Sequence, residues 1–233
     1  MKNLRIESAI VAVGLIVAGL LVYCGFSSVA EKDRSVQVRG FNERIVNADK
    51  ATWPINAKLR GDNLAALYAS AKTSTQTIRQ FLIKNGIPAK DITESAPSVT
   101  DYSMQDWKPE NISSRYTLDL SITVSTKKVM LVHDLTYRVS ELMTQGIYIT
   151  TNGYGGNVNY EFTGLDKIKP AMIEASTQNA REAAEQFAKN SDSKLGKIKN
   201  ATQGYFSIED RDAQTPWVKK VRVVTTVEYY LKN

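Results

Sequence analysis

Two periodic patterns of apolar residues alternate along the chain after Ser35 and predict strands and helices in turn. Every second residue is apolar in "SVQVRG", "TWPINAKLR" and "YTLDLSITVS", and the last stretch, "VKKVRVVTTVEYYL", alternates in the same way. Strict alternation is typical of a strand with one buried face. Pro54 has no backbone N–H to donate, so we predict that its strand lies at the edge of a sheet or begins there.

Three amphipathic helices are predicted between these strands, because apolar residues there recur at every third or fourth position. The first follows a cap at Asp62 or Asn63 and ends at Gly86, and the second ends at Gly146. The third is the longest, and its residues predicted to face the core are Leu165, Met172, Ser176, Ala180, Ala183 and Phe187.

The ends of the first two helices are alike in sequence. "FLIKNGI" closes the first and "ELMTQGI" closes the second, and a strand candidate follows each. This similarity predicts an internal duplication of a strand-helix-strand unit. The order of the elements predicts the α+β class, with antiparallel or mixed sheets and three amphipathic helices.

The N-terminus carries the pattern of an export signal. Lys2 and Arg5 precede the run "AIVAVGLIVAGLLVYCGF", which covers residues 9–26 without a formal charge. A basic flank before an apolar run is typical of a targeting segment, and the basic flank stays inside. We therefore expect residues 31 onward to lie outside the cytoplasm, with residues 1–30 as a signal or anchor and residues 35–233 as the folded domain.

The sequence leaves three fates of this segment open. A signal peptidase could cut after Ala30, at the small-x-small site of residues 28–30. Lipidation of Cys24 would suit a bacterial lipoprotein, but Tyr23 stands where a small residue is expected. A helix of residues 9–26 would span roughly 27 Å, close to the ~30 Å hydrocarbon core of a bilayer. This length favours retention as an inner-membrane anchor.

The composition excludes several classes of protein. Apart from Cys24, the 233 residues contain no cysteine, so a domain outside the cytoplasm would be held by its core and not by disulfides. The net charge of +6 is spread along the chain without a basic stripe. This distribution argues against a nucleic-acid partner and permits weak attraction to anionic surfaces.

The sequence specifies no convergent set of catalytic or metal-binding groups. His133, the single histidine, lies one position off the buried stripe of its helix, so we predict a surface or half-buried residue. Without a second histidine, a usable cysteine or a spaced acidic cluster, neither a metal nor another cofactor is predicted. The glycine-rich "TNGYGGN" precedes a strand and not a helix, so it is interpreted as a turn and not as a phosphate site.

Two residues are predicted contacts of an oligomer or a ligand. Trp107 lies in the polar loop "DYSMQDWKPENISSR", where burial within the domain is hard to arrange, whereas Trp53 alternates with apolar neighbours and is predicted in the core. Pro54 marks the predicted sheet edge, and an unpaired edge is open to pairing with another chain.

The stretches "VRGFNERIVNADKA", "NVNYEF" and above all "AMIEASTQNAREAAEQFAKNSDSKLGKI" resemble the SIMPL domain family over roughly residues 35–233. Asn42 and the pair Ala48-Asp49 depart from the family pattern, so the first turn is expected to differ in shape. The resemblance implies an exported envelope protein that assembles into rings and is linked to stress tolerance, with no agreed chemistry.

On these grounds we expect a non-enzymatic, periplasm-facing protein that self-assembles into an oligomer. The localisation is an inner-membrane anchor with a periplasmic domain, or secretion to the periplasm after cleavage at Ala30. The alternative function is a binding module for a cell-wall or outer-membrane component. A third hypothesis is a hydrolase centred on His133.

Overall fold

The computed structural model describes residues 12–23, 34–104, 114–150 and 158–232, and within them it confirms the predicted α+β class. Residues 12–23 form helix α1. The other helices are α2 (Leu64–Lys84), α3 (Val129–Arg138), α4 (Ser140–Met143) and α5 (Leu165–Asn190). The strands are β1 (Ser35–Asn47), β2 (Lys50–Gly61), β3 (Ile92–Glu94), β4 (Ser98–Asp101), β5 (Tyr116–Thr126), β6 (Ile149–Thr150), β7 (Asn159–Glu161), β8 (Lys194–Gln203), β9 (Ser207–Asp210) and β10 (Val218–Lys232).

The chain folds into two compact units. Beyond α1, the described part of unit 1 consists of residues 34–44, 166–208 and 220–232, and that of unit 2 consists of residues 45–165 and 209–219 with the gaps given above. Among the described residues, no helix has the length and apolarity needed to cross a membrane. Cys24 and the cleavage site at residues 28–30 lie outside the described residues.

Sheet A has the strand order β1-β10-β8, with β9 also paired to β10. Helix α5 packs on this sheet through small side chains, because Ala180 and Ala184 are fully buried together with Val36 and Val227. The close approach of α5 to the sheet requires a glycine at position 40, on β1. A Cβ at this position would overlap with backbone atoms of α5, so no larger residue fits without moving the helix.

The buried stripe of α5 differs from the prediction in its second half. Its buried residues recur at every fourth position and are Met172, Ser176, Ala180, Ala184 and Ala188. Four residues advance about 40° beyond a full helical turn, so the contact line winds around the helix. The predicted core residues Ala183 and Phe187 are therefore exposed, and Phe187 is 50% exposed.

Sheet B, in unit 2, contains the predicted duplication. Its order is β3-β5-β2-β6, with β4 beside β5 and β7 beside β2, and the pairings are antiparallel. One half is β2-α2-β3 and the other is β5-α3-α4-β6. The first strand of each half pairs with both strands of the other half, which is the split β-α-β arrangement of ferredoxin-like folds.

The two helix ends that look alike in sequence have the same backbone geometry. Gly86 and Gly146 have φ values of 93° and 80°, in the left-handed region. The amide of Ile87 donates to the carbonyl of Leu82 at 3.0 Å, and that of Ile147 donates to Leu142 at 3.2 Å. Both helices thus end in a Schellman-type cap.

The second predicted helix is continuous in sequence pattern but divided in the structure. Helix α3 ends at Arg138 and α4 begins at Ser140, because the amide of Leu142 donates to the carbonyl of Val139 three residues earlier. An i→i+3 hydrogen bond tightens the turn and interrupts the α-helical ladder. The buried face nevertheless continues through Leu135, Val139 and Leu142.

The prediction that β2 lies at a sheet edge is wrong. β2 pairs with β5 along one side and with β7 and β6 along the other. Pro54 is tolerated because pairing with β7 ends at Thr52 and pairing with β6 begins at Asn56. The amide of Lys58 donates to the carbonyl of Tyr148, directly before β6. Backbone nitrogens two residues apart in a strand point to the same side, so the nitrogen of Pro54 also points to this side and lies within the gap.

Candidate functional site

Strand β8 forms one margin of sheet A. It pairs with β10 from Gln203 opposite Thr225 to Lys194 opposite Lys232, and no other strand among the described residues pairs with it. Most of its ten residues are exposed. The exposed margin therefore offers backbone donors and acceptors to another strand.

Backbone directions along β8 follow from one hydrogen bond. The amide of Gly204 donates to the carbonyl of Val224 at 2.8 Å, toward β10. Antiparallel ladders alternate, so the amide of Thr202 also points toward β10, while those of Ala201 and Gln203 point away from it. The outward groups of Ala201 and Gln203 are consequently accessible to a partner.

A groove of about 1070 Å³ lies between α5 and β8. Leu195, Ile198 and Tyr229 supply apolar surface to it, and Ile198 is 53% exposed. Charged side chains of both elements line it as well, including Lys197 and the ion pair of Arg181 Nε with Glu185 Oε1 at 2.8 Å. The groove is an apolar surface bordered by charges of both signs.

Charge is unevenly distributed along this margin. Lys194, Lys197 and Lys199 lie within the first six residues of β8, whereas residues 200–208 carry no charge. Lys199 Nζ lies 3.0 Å from Glu228 Oε1 on β10. A hydrogen bond from Ser35, followed by the bond from Lys199, lowers the pKa of Glu228. One half of the strand is basic and the other half is neutral.

Tyr205 lies two residues after the end of β8 and is 99% exposed. Ala201 and Gln203 pair with Val227 and Thr225, which are buried on the α5 side of the sheet. After β8, the ring centroid of Phe206 lies 6.0 Å from Nζ of Lys169 on α5, so Phe206 is the aromatic residue on the α5 side.

His133 is half-buried, as predicted, and lies in an aromatic cluster of unit 2. Its ring centroid is 4.1 Å from that of Trp217 and 5.2 Å from that of Tyr137, and its Nδ1 lies 3.2 Å from Asp134 Oδ1. Its Nε2 is buried without a hydrogen-bond partner among the described residues. The contacts of the ring are those of a packed side chain, with no hydroxyl or thiol hydrogen-bonded to it in the described structure.

Tyr160 packs in the same cluster, with its ring centroid 6.3 Å from that of Trp217. Burial, with smaller contributions from the neighbouring Tyr137 and Asp134, raises the pKa of Tyr160 to about 12. The phenol is therefore held in its neutral form. Trp217 connects this cluster to the turn before β2, since its carbonyl accepts from the amide of Ala48 at 2.8 Å.

The structure does not bring the two predicted contact residues together. Trp107 lies outside the described residues, as does the glycine-rich segment 151–157. Pro54 is half-buried in the interior strand β2, so the assignment of both residues as contacts stays a prediction. Across the described ranges, no cluster of His, Cys, Asp and Glu could hold a metal ion.

The margin of β8 was missed in the sequence, although "KLGKIKNATQGYF" carries a signal for it. Lysines spaced along a strand are typical of a sheet edge, and a glycine among them indicates a close backbone approach or a bulge. At Gly196 a Cβ would lie 2.7 Å from the carbonyl oxygen of Tyr230, beside the bulge in the β8–β10 pairing.

Comparison with known proteins gives one result. Residues 36–229 match the family model SIMPL, described as a protein of unknown function (DUF541). No curated protein matches the chain.

Proposed function

The chain belongs to the SIMPL family, and from that premise we propose that it is a non-enzymatic cell-envelope protein that assembles with copies of itself. The family is of unknown function, so the proposal rests on the geometry of sheet A together with the export signal in the sequence.

The open margin of β8 carries the proposal. A strand of ten residues with one unpaired side presents a row of N–H and C=O groups that a second chain can satisfy. Ile198 on the strand and Tyr205, two residues after its end, add exposed apolar surface. Association of copies would give both the backbone groups and the apolar side chains a partner.

The export signal supports the cellular location. Its basic start and apolar run favour an inner-membrane anchor with a periplasmic domain, and cleavage at Ala30 with release into the periplasm is the alternative. The family resemblance supports a ring-like oligomer and a role in tolerance of envelope or oxidative stress.

Sedimentation velocity of the full chain in mild detergent tests the assembly. The expected result at micromolar concentration is a particle whose protein mass is a multiple of the 25.9 kDa protomer. A monomer over the whole concentration range would contradict the proposed function.

The alternative function is a binding module for a cell-wall or outer-membrane component, and the groove between α5 and β8 favours it. A groove of about 1070 Å³ with apolar surface and charges of both signs suits an amphipathic ligand. A monomeric chain that cosediments with isolated cell walls or outer membranes would support this function in place of self-assembly.

A further inference from the structure

We propose that the basic end of sheet A binds the surface of a bilayer that contains anionic lipid. This end consists of residues 34–36 at the start of β1, residues 187–199 from the last turn of α5 into β8, and residues 228–232 of β10. The inference rests on the membrane anchor of the proposed function and adds a second contact with the membrane, which self-assembly does not require.

The fold brings these three segments together. The carbonyl of Arg34 accepts from the amide of Leu231 at 2.9 Å, and Lys232 pairs with Lys194 across β10 and β8. The guanidinium of Arg34 donates to Ser193 Oγ at 3.2 Å, in the turn between α5 and β8. β1 and β8 therefore begin at the end of the sheet where β10 and α5 finish.

Positive charge collects at this end, although it is spread along the sequence. The three segments contain six basic residues and two acidic ones, Asp192 and Glu228, so their net charge is +4. Residues 200–208, toward the other end of β8, carry no charge. Exposed cations are attracted to an anionic lipid surface within about a Debye length, ~8 Å at physiological ionic strength. All six basic side chains are exposed: Arg34, Lys189, Lys194, Lys197, Lys199 and Lys232.

An aromatic side chain belongs to the same end. Phe187 lies in the last turn of α5 and is 50% exposed, although the sequence pattern predicts it in the core. Its carbonyl accepts from the amide of Ser191 at 3.1 Å, in the turn that leads into β8. Aromatic rings are favoured at the level of lipid headgroups, and basic side chains favour anionic lipid there. Phe187 therefore suits a membrane surface better than it suits water.

The chain enters sheet A at this end. Arg34 directly precedes β1 and follows Phe26, the last residue of the apolar run, by eight residues. Eight residues reach at most about 29 Å. A short tether keeps the basic end at high local concentration near the membrane, so a weak electrostatic attraction is enough for contact. The tether favours a lipid surface over a soluble anion as the partner.

Fluorescence quenching tests the contact with the full chain reconstituted in vesicles. Asn190→Cys in a Cys24→Ser background carries a fluorescent label, and the vesicles contain lipid with a spin-labelled headgroup as quencher. Asp166→Cys, at an exposed position in the first turn of the same helix and roughly 36 Å away, is the matched control. Both leaflets have the same composition, so either orientation of the chain reads the same contact.

The label at position 190 is expected to be quenched in vesicles with phosphatidylglycerol and not in vesicles of phosphatidylcholine alone. Salt at about 0.5 M should abolish this quenching by screening the charges. The label at position 166 should be quenched in neither kind of vesicle.

Charge reversal reads the electrostatic part of the contact. Lys194→Glu with Lys232→Glu lowers the net charge of the basic end from +4 to zero, so the quenching at position 190 should be lost. Lys167→Glu with Lys169→Glu makes the same change in total charge at exposed positions near the start of α5 and should leave the quenching unchanged. Circular dichroism must show that both double variants keep the native fold.

The aromatic part of the contact has its own pair of variants. Phe187→Ser should reduce the quenching at position 190. Phe41→Ser, at a similarly exposed position seven residues along β1 from Arg34, should not reduce it.

Equal quenching at position 190 in the two kinds of vesicle, or quenching that survives the reversal of Lys194 and Lys232, would overturn this inference. Binding of dextran sulfate without quenching in anionic vesicles would also overturn it and would assign the basic end to soluble acidic polymers. Flotation with neutral vesicles at about 0.5 M salt reads the anchor separately. A chain that fails to float would contradict the anchor of the proposed function, whereas a chain that floats without quenching would contradict only this inference.

Discussion

At the scale of single residues, Gly40 sets the distance between β1 and α5. A Cβ there would overlap with the carbonyl oxygen of Ser176 and with the amide nitrogen of Ala180, and neither backbone atom can rotate away. Gly40→Ala should therefore lower the free energy of unfolding by about 3 kcal/mol or more, at the upper end for overpacked sites. Urea denaturation followed by circular dichroism measures the change.

Gly61→Ala is the matched control for Gly40→Ala. Both glycines lie in strands, but a Cβ on Gly61 would meet Leu67 Cδ1 at 3.5 Å, an ordinary contact. The free energy of unfolding should change there by less than about 1 kcal/mol. Equal losses of unfolding free energy at the two positions would show that the close packing of β1 against α5 is not the reason for the cost of Gly40→Ala.

The buried phenol of Tyr160 gives the protein a dependence on alkaline pH. Burial raises the pKa of Tyr160 from 10.0 to about 12, so the folded state holds this proton more tightly than the unfolded state does. Its contribution to stability is present in full below pH 10 and is lost as the pH rises toward 12. In Tyr160→Phe the fall in the urea midpoint over this range should become shallower.

Tyr205→Phe provides the control for Tyr160→Phe, because it removes a phenol from a fully exposed position. Its alkaline stability profile should match that of the wild type. A Tyr160→Phe profile that also matches the wild type would mean that the cluster around Trp217 does not hold the phenol neutral.

At the scale of elements, the twin caps of α2 and α4 test the duplication. Alanine is strained at the positive φ of Gly86 and Gly146, so each Gly→Ala change should cost roughly 1–2 kcal/mol of unfolding free energy. Asparagine tolerates this region better, so Gly86→Asn and Gly146→Asn should cost less. Chemical denaturation of the four variants makes the comparison, and a cost at only one of the two glycines would show that the caps are not equivalent.

Much of the secondary structure was predictable because its causes are local. The alternating apolar residues of β5 and β10 and the glycines that close α2 and α4 act within a few residues, and the structure has these elements where the sequence predicts them. Pairing is not local. Pro54 predicts an edge strand for β2, but the gap that accommodates the proline lies between β7 and β6, which both pair with β2.

The candidate site shows the same division between local and distant causes. The lysines of β8 are visible in the sequence. Which side of β8 stays unpaired depends on its pairing with β10, whose paired residues lie more than twenty positions later. Phe187 was predicted in the core because the pattern does not reveal that the contact line winds around α5. The groove between α5 and β8 depends on both the pairing of β8 with β10 and the contact line of α5, so the sequence alone could not predict it.

At the scale of the whole molecule, the fate of the N-terminal segment decides where the protein works. We predict that residues 1–30 are retained as an anchor, because the apolar run of residues 9–26 has nearly the length of a bilayer span. Intact-mass measurement of the protein from membrane and soluble fractions should find the full chain in the membrane. A mature N-terminus at Glu31 in the soluble fraction would contradict the anchor, and a diacylglyceryl mass on Cys24 would indicate a lipoprotein.

The position of β10 after all the described strands of sheet B affects the order in which the two sheets can form. In the described structure β1, β8 and β9 all pair with β10, whereas the strands of sheet B all lie between Lys50 and Glu161. A chain made from its N-terminus can complete sheet B first. Sheet A can form only after the fifteen residues of β10 have been made and the long stretch of chain between β1 and β10 has closed into a loop. Pulse-labelled hydrogen exchange during refolding should therefore protect the amides of β2 and β5 before those of β1 and β8. Until β10 has formed, neither side of β8 has a strand partner within the described part of the chain, so in this interval another strand could take the place of β10.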